Sequence, residues 1–310
     1  MGCEFTSIFE LKINLIAANL KLQPKKPFPK EVFLNGEWIN PENAFVSVFD
    51  RGFLLGDGIY EVTPFYDGKP FRLKDHLDRL QYCLNEIQIE FDAFSLQEIM
   101  SEAISRSALF QNDCAVYIQI TRGVAPRTHF FPEQIQPTIL LYAFPAVLNG
   151  FENKQASVLV SEDLRWHRCD IKSISLMANI KANNQAHRLG LDENLLLRDR
   201  FFTEGSHSSI FFLKNHRVFT HPKGPHILSG ITRKVILEMC GEMDIEISER
   251  AVHIDELKEV DEVFLTGTTT QILSVKSMLL NEKEIFHRPE VGETTKQLQA
   301  AFLKLTRSSS

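Results

Sequence analysis

A stretch of turn-forming residues interrupts the chain near its middle and limits the folds that it can adopt. Residues 145–155, with the sequence PAVLNGFENKQ, lack the hydrophobic periodicity of the segments on either side. Both flanking parts mix short apolar strands with amphipathic helices, which is typical of the α+β class. The sequence therefore predicts an N-terminal extension over residues 1–30, a small α+β domain over 31–147 and a larger domain over 148–307, with a linker at 145–155.

Turn and helix signals predict the elements of both parts. VFLNGEWI (32–39) predicts a β-hairpin with its turn at Asn35-Gly36, and residues 60–73 predict a second hairpin. Ser95 and Glu98 have the spacing of a capping box, which predicts a helix from 95 to 109. The other predicted elements are helices over 74–87, 176–189, 231–243, 255–260 and 294–305, and strands over 115–122, 138–144, 156–160, 194–197, 209–213, 217–220, 246–249 and 262–265.

The composition argues against several classes of function. With 44% hydrophobic and 24% charged residues, the 310-residue chain falls in the range of soluble globular proteins. Its net charge of -6 gives no reason to expect nucleic-acid binding, and no apolar run approaches the roughly 20 residues that span a membrane. The five cysteines are scattered without a C-x-x-C pair, so neither a metal site nor a disulfide scaffold is predicted, and the expected location is a reducing cytoplasm.

Two short stretches carry a lysine and a carboxylate suited to a cofactor site. EDLRWHRCDIKS (162–173) contains Lys172, and FTEGSHSSIF (202–211) contains Glu204. A lysine that forms an imine and a carboxylate that keeps a ring nitrogen protonated are the two protein groups that a pyridoxal phosphate enzyme most needs. Each residue also has an ordinary alternative, a solvated surface lysine and a turn carboxylate.

The neighbours of these two residues strengthen the hypothesis. Trp166, Cys169 and Ile171 predict that Lys172 is partly buried, which disfavours the charged ammonium form. Arg165 lies in the same stretch, and we expect it to keep the carboxylate of the second stretch ionised.

Three segments have the composition of a phosphate site. Ile231 and Thr232 begin a predicted helix, so their free N–H groups would face an anion, and the turn TGTTT (266–270) adds hydroxyl groups. Arg79 could supply the positive charge, although an i,i+4 ion pair with Asp75 is the alternative.

A turn in the first half has the composition of a carboxylate site. In TRGVAPRTH (121–129), Arg127 and His129 stand two residues apart, and the planar fork of arginine suits a carboxylate. An exposed basic loop without a ligand is the alternative.

Taken together and in this order, the motifs resemble the fold type IV pyridoxal phosphate-dependent aminotransferases, and they are most similar to the D-amino acid (D-alanine) aminotransferases. The resemblance covers residues 32–305, and the pair Arg127 and His129 favours the D-amino acid branch. It implies a smaller α/β N-terminal domain and a larger C-terminal domain with a mixed, barrel-like sheet. The motifs are DRGFLLGDGIYE (50–61), HLDRL (76–80), QITRGVAPRTHFFPE (119–133), EDLRWHRCDIKS, TEGSHSSIF, ILSGITR (227–233) and EVFLTGTTTQI (262–272).

The resemblance also implies roles for individual residues. Lys172 would form the internal aldimine, Glu204 would pair with the ring nitrogen, and Leu228 would pack on the ring. The phosphate would be held by Arg79, Thr268 and the N–H groups of Ile231 and Thr232. Thr269 would also contact the cofactor, and Arg165 would lie behind the residues that touch it. The substrate would be bound by Tyr60, Val62, Arg127 and His129, of which the last two would reach over from the other subunit of a homodimer. His207 and Ser209 depart from the serine and asparagine that relatives often carry there, so their contacts are left open.

The implied activity is the transfer of the amino group of a D-amino acid to an α-keto acid such as 2-oxoglutarate, by way of pyridoxamine phosphate. The expected partners are therefore small molecules, namely amino acids and α-keto acids. Two activities of the same fold stay open as alternatives, namely a branched-chain L-amino acid aminotransferase and an aminodeoxychorismate lyase, since neither requires Arg127 and His129 together. A cofactor-binding protein without catalytic activity is a further alternative.

Overall fold

Two β-sheets, one on each side of residues 145–155, organise the chain in the computed structural model, which describes residues 28–308. The predicted linker contains one 3₁₀ turn, Phe151–Asn153, and otherwise joins the last strand of the first sheet to the first strand of the second. Most of the predicted N-terminal extension, residues 1–27, lies outside the described residues. The predicted boundary thus coincides with the change of sheet, while the division into separate domains stays a prediction.

The first sheet has six antiparallel strands in the order β2-β1-β6-β5-β3-β4. Buried side chains from the strands and from two helices, α2 and α3, form its hydrophobic core. Both predicted hairpins are confirmed. The strands are β1 (Val32–Leu34), β2 (Glu37–Ile39), β3 (Gly58–Tyr66), β4 (Lys69–Pro70), β5 (Cys114–Thr121) and β6 (Thr138–Pro145), and the helices are α1 (Arg51–Leu55), α2 (Leu73–Glu86) and α3 (Gln97–Arg106).

The predicted capping box at Ser95 is wrong. Ser95 lies within a 3₁₀ turn, Ala93–Leu96, and its hydroxyl donates to the carbonyl of Asp92. The carboxylate of Asp92 accepts from the N–H of Phe94 and so caps this turn instead. Because the turn precedes α3, the α-helix begins two residues later than predicted.

The second sheet has nine strands, and its mixed, curled arrangement agrees with the predicted fold class. Parallel pairs β7-β14 and β7-β8 stand beside antiparallel pairs. Three strands were not predicted, β9, β14 and β15. The elements are β7 (Gln155–Glu162), β8 (Glu193–Arg198), β9 (Phe201–Gly205), β10 (Ser209–Lys214), β11 (Arg217–Thr220), β12 (Glu246–Glu249), β13 (Glu262–Gly267), β14 (Gln271–Leu280) and β15 (Lys283–His287), with helices α4 (Met177–Arg188), α5 (Ile231–Glu242) and α6 (Glu293–Ser308) and a 3₁₀ segment, Ile254–Glu259.

Strand β3 connects the two halves because, within residues 28–308, little of its outer edge is paired with a strand of its own sheet. The short strand β4 pairs only with Phe65 and Tyr66. Pro64 turns its carbonyl to this outer side, where it accepts from Phe71, so its missing N–H also falls on the edge. The beginning of β3 is therefore available to pair with a segment of the second half.

None of the helices within residues 28–308 is long and apolar enough to cross a membrane.

Candidate active site

A cleft of about 810 Å³ lies between the two sheets and collects most of the residues predicted for a cofactor site. Its walls come from β3, α2, the loop between β7 and α4, the β9–β10 turn, the start of α5 and the β13–β14 turn. The predicted residues that line it are Tyr60, Arg79, Arg165, Lys172, Glu204, Leu228, Ile231, Thr232 and Thr268. Segments up to about 200 residues apart in sequence thus meet at one site, as the resemblance implied.

Four predicted residues lie outside the lining of this cleft. Thr269 is exposed, one position beyond the lining. Val62 is half-buried on β3 and pairs with Tyr117 of β5. Arg127 and His129 are exposed on the loop after β5. Within a single chain, therefore, the predicted carboxylate site is separate from the cleft.

Backbone hydrogen bonds with the outer edge of β3 position Lys172. The N–H of Tyr60 donates to the carbonyl of Lys172 at 2.9 Å, and the N–H of Ile174 donates to that of Gly58 at 3.1 Å. The N–H of Lys172 in turn donates to the thiol sulfur of Cys83 at 3.3 Å. These contacts place the ammonium nitrogen Nζ 4.2 Å from the centroid of the Tyr60 ring, on the wall of the cleft.

The predicted partial burial of Lys172 is confirmed. Cys169 and Ile171 are buried and Lys172 is half-buried, but the Trp166 side chain is 52% exposed. Cys169 and Ile171 are two residues apart and face the interior together, while Trp166 precedes them where the loop runs along the surface. Of the three residues that suggested this burial, Cys169 and Ile171 are thus buried themselves and Trp166 is not.

Glu204 lies in strand β9, not in a turn, and has donors on two sides. The Arg165 guanidinium donates to its Oε1 at 2.5 Å, and the N–H of Leu228 lies 3.1 Å from both carboxylate oxygens. Arg165 is itself held by a bidentate pair with Asp163, with both distances 2.9 Å. The carboxylate is therefore fixed in orientation at the wall of the cleft.

Arg165 contacts Glu204 as predicted, and it favours the ionised carboxylate against the effect of burial. Burial raises the pKa of Glu204 to about 7, against the opposing effects of Arg165 and the Leu228 N–H. Asp163, which also pairs with Arg165, adds a smaller effect that raises this pKa. A cationic partner in the cleft would favour the ionised form of Glu204.

Arg79 lines the cleft through a buried ion pair that the sequence analysis missed. Its Nε and Nη2 donate to the two oxygens of Glu61 at 2.8 and 2.7 Å, and His76 Nδ1 lies 3.0 Å from the same carboxylate. Burial alone would raise the pKa of the Glu61 carboxyl, but Arg79 and His76 hold it well below its usual range. The alternative pair with Asp75 is wrong, since Asp75 contacts Lys234 instead. A glutamate within an otherwise apolar strand was the available signal, because a buried charge requires a partner.

The start of α5 and the β13–β14 turn fit a phosphate. Among the described residues, no side chain caps this end of α5, so the N–H groups of Ile231 and Thr232 face the cleft with the helix dipole behind them. Gly230 allows a close approach, because a Cβ there would lie 2.8 Å from Ser209 Oγ. The hydroxyl of Thr266 is buried on the same wall and has no hydrogen-bond partner within residues 28–308. An unpaired hydroxyl, free amides and the nearby Arg79 form a donor set suited to a phosphate group.

Comparison with known proteins gives consistent results. The model of the family described as "Amino-transferase class IV" matches residues 58–278. The D-alanine aminotransferase of Staphylococcus aureus (strain N315) is 37% identical over 287 residues, which cover 91% of this chain and 99% of that protein. The D-alanine aminotransferase of Bacillus licheniformis is 36% identical over 273 residues, 87% of this chain and 95% of that protein.

Solved structures share the fold at lower identity. The branched-chain amino acid aminotransferase of Escherichia coli superposes with a TM-score of 0.82 at 24% identity and covers 91% of this chain and 96% of its own. The branched-chain amino acid aminotransferase of Thermobaculum terrenum in its PLP form has a TM-score of 0.79 at 21% identity, with coverages of 91% and 95%. At these identities the likeness bears on the fold alone.

Proposed function

Because this chain belongs to the class IV aminotransferases, we propose that it moves the amino group of a D-amino acid, such as D-alanine, to an α-keto acid such as 2-oxoglutarate. Pyridoxal 5'-phosphate is the cofactor, and amino acids and α-keto acids are the substrates, as throughout this family. The observation that best supports this reaction is that Lys172, Glu204 and the uncapped start of α5 meet in one cleft. The relatives named D-alanine aminotransferase, matched over nearly their whole length, support the choice of substrate.

The bound cofactor supplies a carbonyl that takes up the amino group and a ring that accepts electrons from the substrate Cα. In our proposal, Lys172 Nζ would hold the cofactor, take the proton from the substrate Cα and deliver it to the cofactor carbon that carries the transferred nitrogen. The Glu204 carboxylate, oriented by Arg165 and Leu228, keeps a proton on the ring nitrogen. The N–H groups of Ile231 and Thr232 bind the phosphate.

The arrangement of the remaining groups supports their assignment to cofactor and substrate. The Arg79 pair with Glu61 leaves further guanidinium N–H groups for the phosphate, and Thr266 and Thr268 supply hydroxyls beside it. Tyr60 lies next to Lys172 and would contact the substrate carboxylate. We retain Leu228 as the residue that packs on the ring.

We infer that a homodimer completes the site. An apolar segment that includes Phe45, Phe49 and Phe53 is exposed, with exposed fractions of 79%, 57% and 71%. It adjoins the Arg127 loop, because the N–H of Ala125 donates to the carbonyl of Phe49. A contiguous exposed apolar surface beside a basic loop is suited to a second copy of the chain. The partner subunit's Arg127 and His129 would then bind the α-carboxylate over this cleft, with Val62 beside the substrate side chain.

Mixing two inactive variants tests the shared site. Lys172→Ala and Arg127→Ala proteins, co-refolded in equal amounts, should recover about a quarter of wild-type activity, since half of the dimers would be mixed and each would hold one intact site. Either variant refolded alone should stay nearly inactive. If both residues serve the same subunit, the mixture will recover nothing, and the cross-subunit role is wrong.

Amino donors of opposite chirality at Cα test the substrate assignment. With 2-oxoglutarate as acceptor, kcat/KM for D-alanine should exceed that for L-leucine by at least about 100-fold, because the carboxylate contact decides which Cα hydrogen faces Lys172. The measurement is initial-rate kinetics on the cofactor-loaded protein. Preference for L-leucine would favour the branched-chain alternative, and release of pyruvate from an aminodeoxychorismate substrate would favour the lyase.

We also infer a cytoplasmic location. Cys83, Cys114, Cys169 and Cys240 are all free thiols and buried, which suits a reducing compartment. The cofactor-dependent reaction itself places no demand on location.

A further inference from the structure

A buried carboxylate at the start of β8 organises the turn between β9 and β10. Glu193 is 2% exposed and accepts hydrogen bonds from the hydroxyls of Ser206 and Ser208 at 2.5 and 2.7 Å and from the N–H of Asn194 at 2.7 Å. Gly205 leaves room for this carboxylate, because a Cβ there would lie 2.8 Å from Glu193 Oε2. The turn is thus closed around one negative charge, and none of the catalytic roles proposed above uses it.

His207 is the cationic partner of this carboxylate. Its Nδ1 lies 3.0 Å from Glu193 Oε2, while its side chain is 55% exposed. Burial would lower the pKa of His207, but the hydrogen bond and charge of Glu193 outweigh it and raise that pKa, against a smaller opposing effect of Lys172. Within residues 28–308, every recorded side-chain contact of His207 is made by Nδ1, so Nε2 is available to a ligand.

The exposed side of His207 faces both the cleft and a groove that adjoins it. The groove, of about 830 Å³, shares part of its wall with the cleft, including Tyr60, Asn179 and His207. The rest of its lining includes Asn183, Asn184 and His187, and none of its lining residues is an aspartate or a glutamate. The groove therefore offers side-chain amides and imidazoles to a ligand, and the carboxylate of Glu193 contacts His207 through Nδ1, which leaves Nε2 on the open side.

We propose that the His207 imidazolium, held by Glu193, binds the distal carboxylate of dicarboxylic substrates such as 2-oxoglutarate and D-glutamate in this groove. The proposal rests on the proposed function, which brings the α-carbon of the substrate to Lys172. A substrate with a second carboxylate two or three carbons further on then needs a cation near the cleft but away from the α-carboxylate. His207 is a charge at that place, and a charge-assisted hydrogen bond would select dicarboxylates over monocarboxylates.

The test compares two acceptors in one variant. In His207→Gln, the ratio of kcat/KM for 2-oxoglutarate to that for pyruvate should fall about 10- to 100-fold, because the amide keeps a hydrogen bond but loses the charge. Binding of glutarate, a non-reacting dicarboxylate, to the cofactor-loaded protein should weaken by a similar factor in calorimetry. A ratio within twofold of wild type, or an equal loss with both acceptors, would overturn the proposal.

His287→Gln is the matched control. His287 makes the same kind of contact, with Nδ1 3.0 Å from Glu284 and a side chain 55% exposed, but it lies on β15 outside the cleft. The acceptor ratio and glutarate binding should not change in this variant. If the wild-type protein transaminates neither acceptor, the proposed function fails; if it uses both and His207→Gln leaves their ratio unchanged, only the role of His207 fails.

Discussion

Lys172→Ala should reduce transamination by at least about 10⁴-fold, because the same amine holds the cofactor and moves the Cα proton. The visible absorption that depends on a lysine bond to pyridoxal phosphate should vanish as well. Lys172 contacts Tyr60 and the Cys83 sulfur through its own main-chain atoms, which the substitution retains, so the segment should keep its position. Steady-state rates and absorption spectra of the purified protein measure both effects.

Lys276→Ala is the control for this substitution. Lys276 is an exposed residue of β14 and is absent from the lining of the cleft, so both the spectrum and the rate should equal those of the wild type. Normal turnover by Lys172→Ala would show that another group performs the chemistry, and the assignment of the site would have to be abandoned.

Glu204→Gln should lower kcat by about 10²- to 10³-fold, because a neutral amide cannot stabilise a proton on the ring nitrogen. Gln at this position retains a carbonyl oxygen for Arg165 and Leu228, so the geometry should change little. The loss should appear in kcat with each amino donor, since the ring serves every substrate. Glu162→Gln, the same change at an exposed residue of β7, should leave kcat unaltered.

The pH dependence of stability separates this loss from unfolding. The pKa of Glu204 rises from 4.5 to about 7 on folding, so the cofactor-free folded state keeps a proton that the unfolded state releases. The contribution of Glu204 to stability therefore falls as pH rises from about 4.5 to 7 and stays low above that range. Glu204→Gln removes this penalty, and the melting temperature of its cofactor-free form at pH 8 should be no lower than that of the wild type. A marked decrease would mean that the substitution acts on the fold.

Local patterns predicted the elements better than the contacts between them. The Asn35-Gly36 turn and most helix bounds are local signals, and they are confirmed. β9 was missed because the short segment Phe201–Gly205 carries Thr203 and Glu204, which interrupt its apolar pattern. Both side chains are nevertheless buried, because Thr203 donates to Asp163 and Glu204 contacts Arg165. Partners about 40 residues away in sequence offset the cost of burying these two polar side chains, and a local sequence pattern cannot indicate such partners.

The residues of the candidate site also fall into those that the sequence identifies and those that only the packing brings together. Lys172, Glu204 and the start of α5 could be identified from residue type and motif order. The partner of Arg79 could not, because Glu61 meets it through the packing of α2 on β3. The carboxylate pair Arg127 and His129 was identified from its motif, yet in one chain it lies outside the cleft, so its use depends on assembly.

By itself, the sequence determined the fold class, the family and the chemical types brought to the site, because these depend on local propensity and on the order of motifs. Only the tertiary structure decided which charged groups contact each other and how their pKa values shift. It pairs Arg79 with Glu61, raises the pKa of Glu204 to about 7 and joins His207 to Glu193 beside the cleft. The physical reason is that ionisation and hydrogen bonding follow from burial and from neighbours distant in sequence. Those are properties of the packed chain.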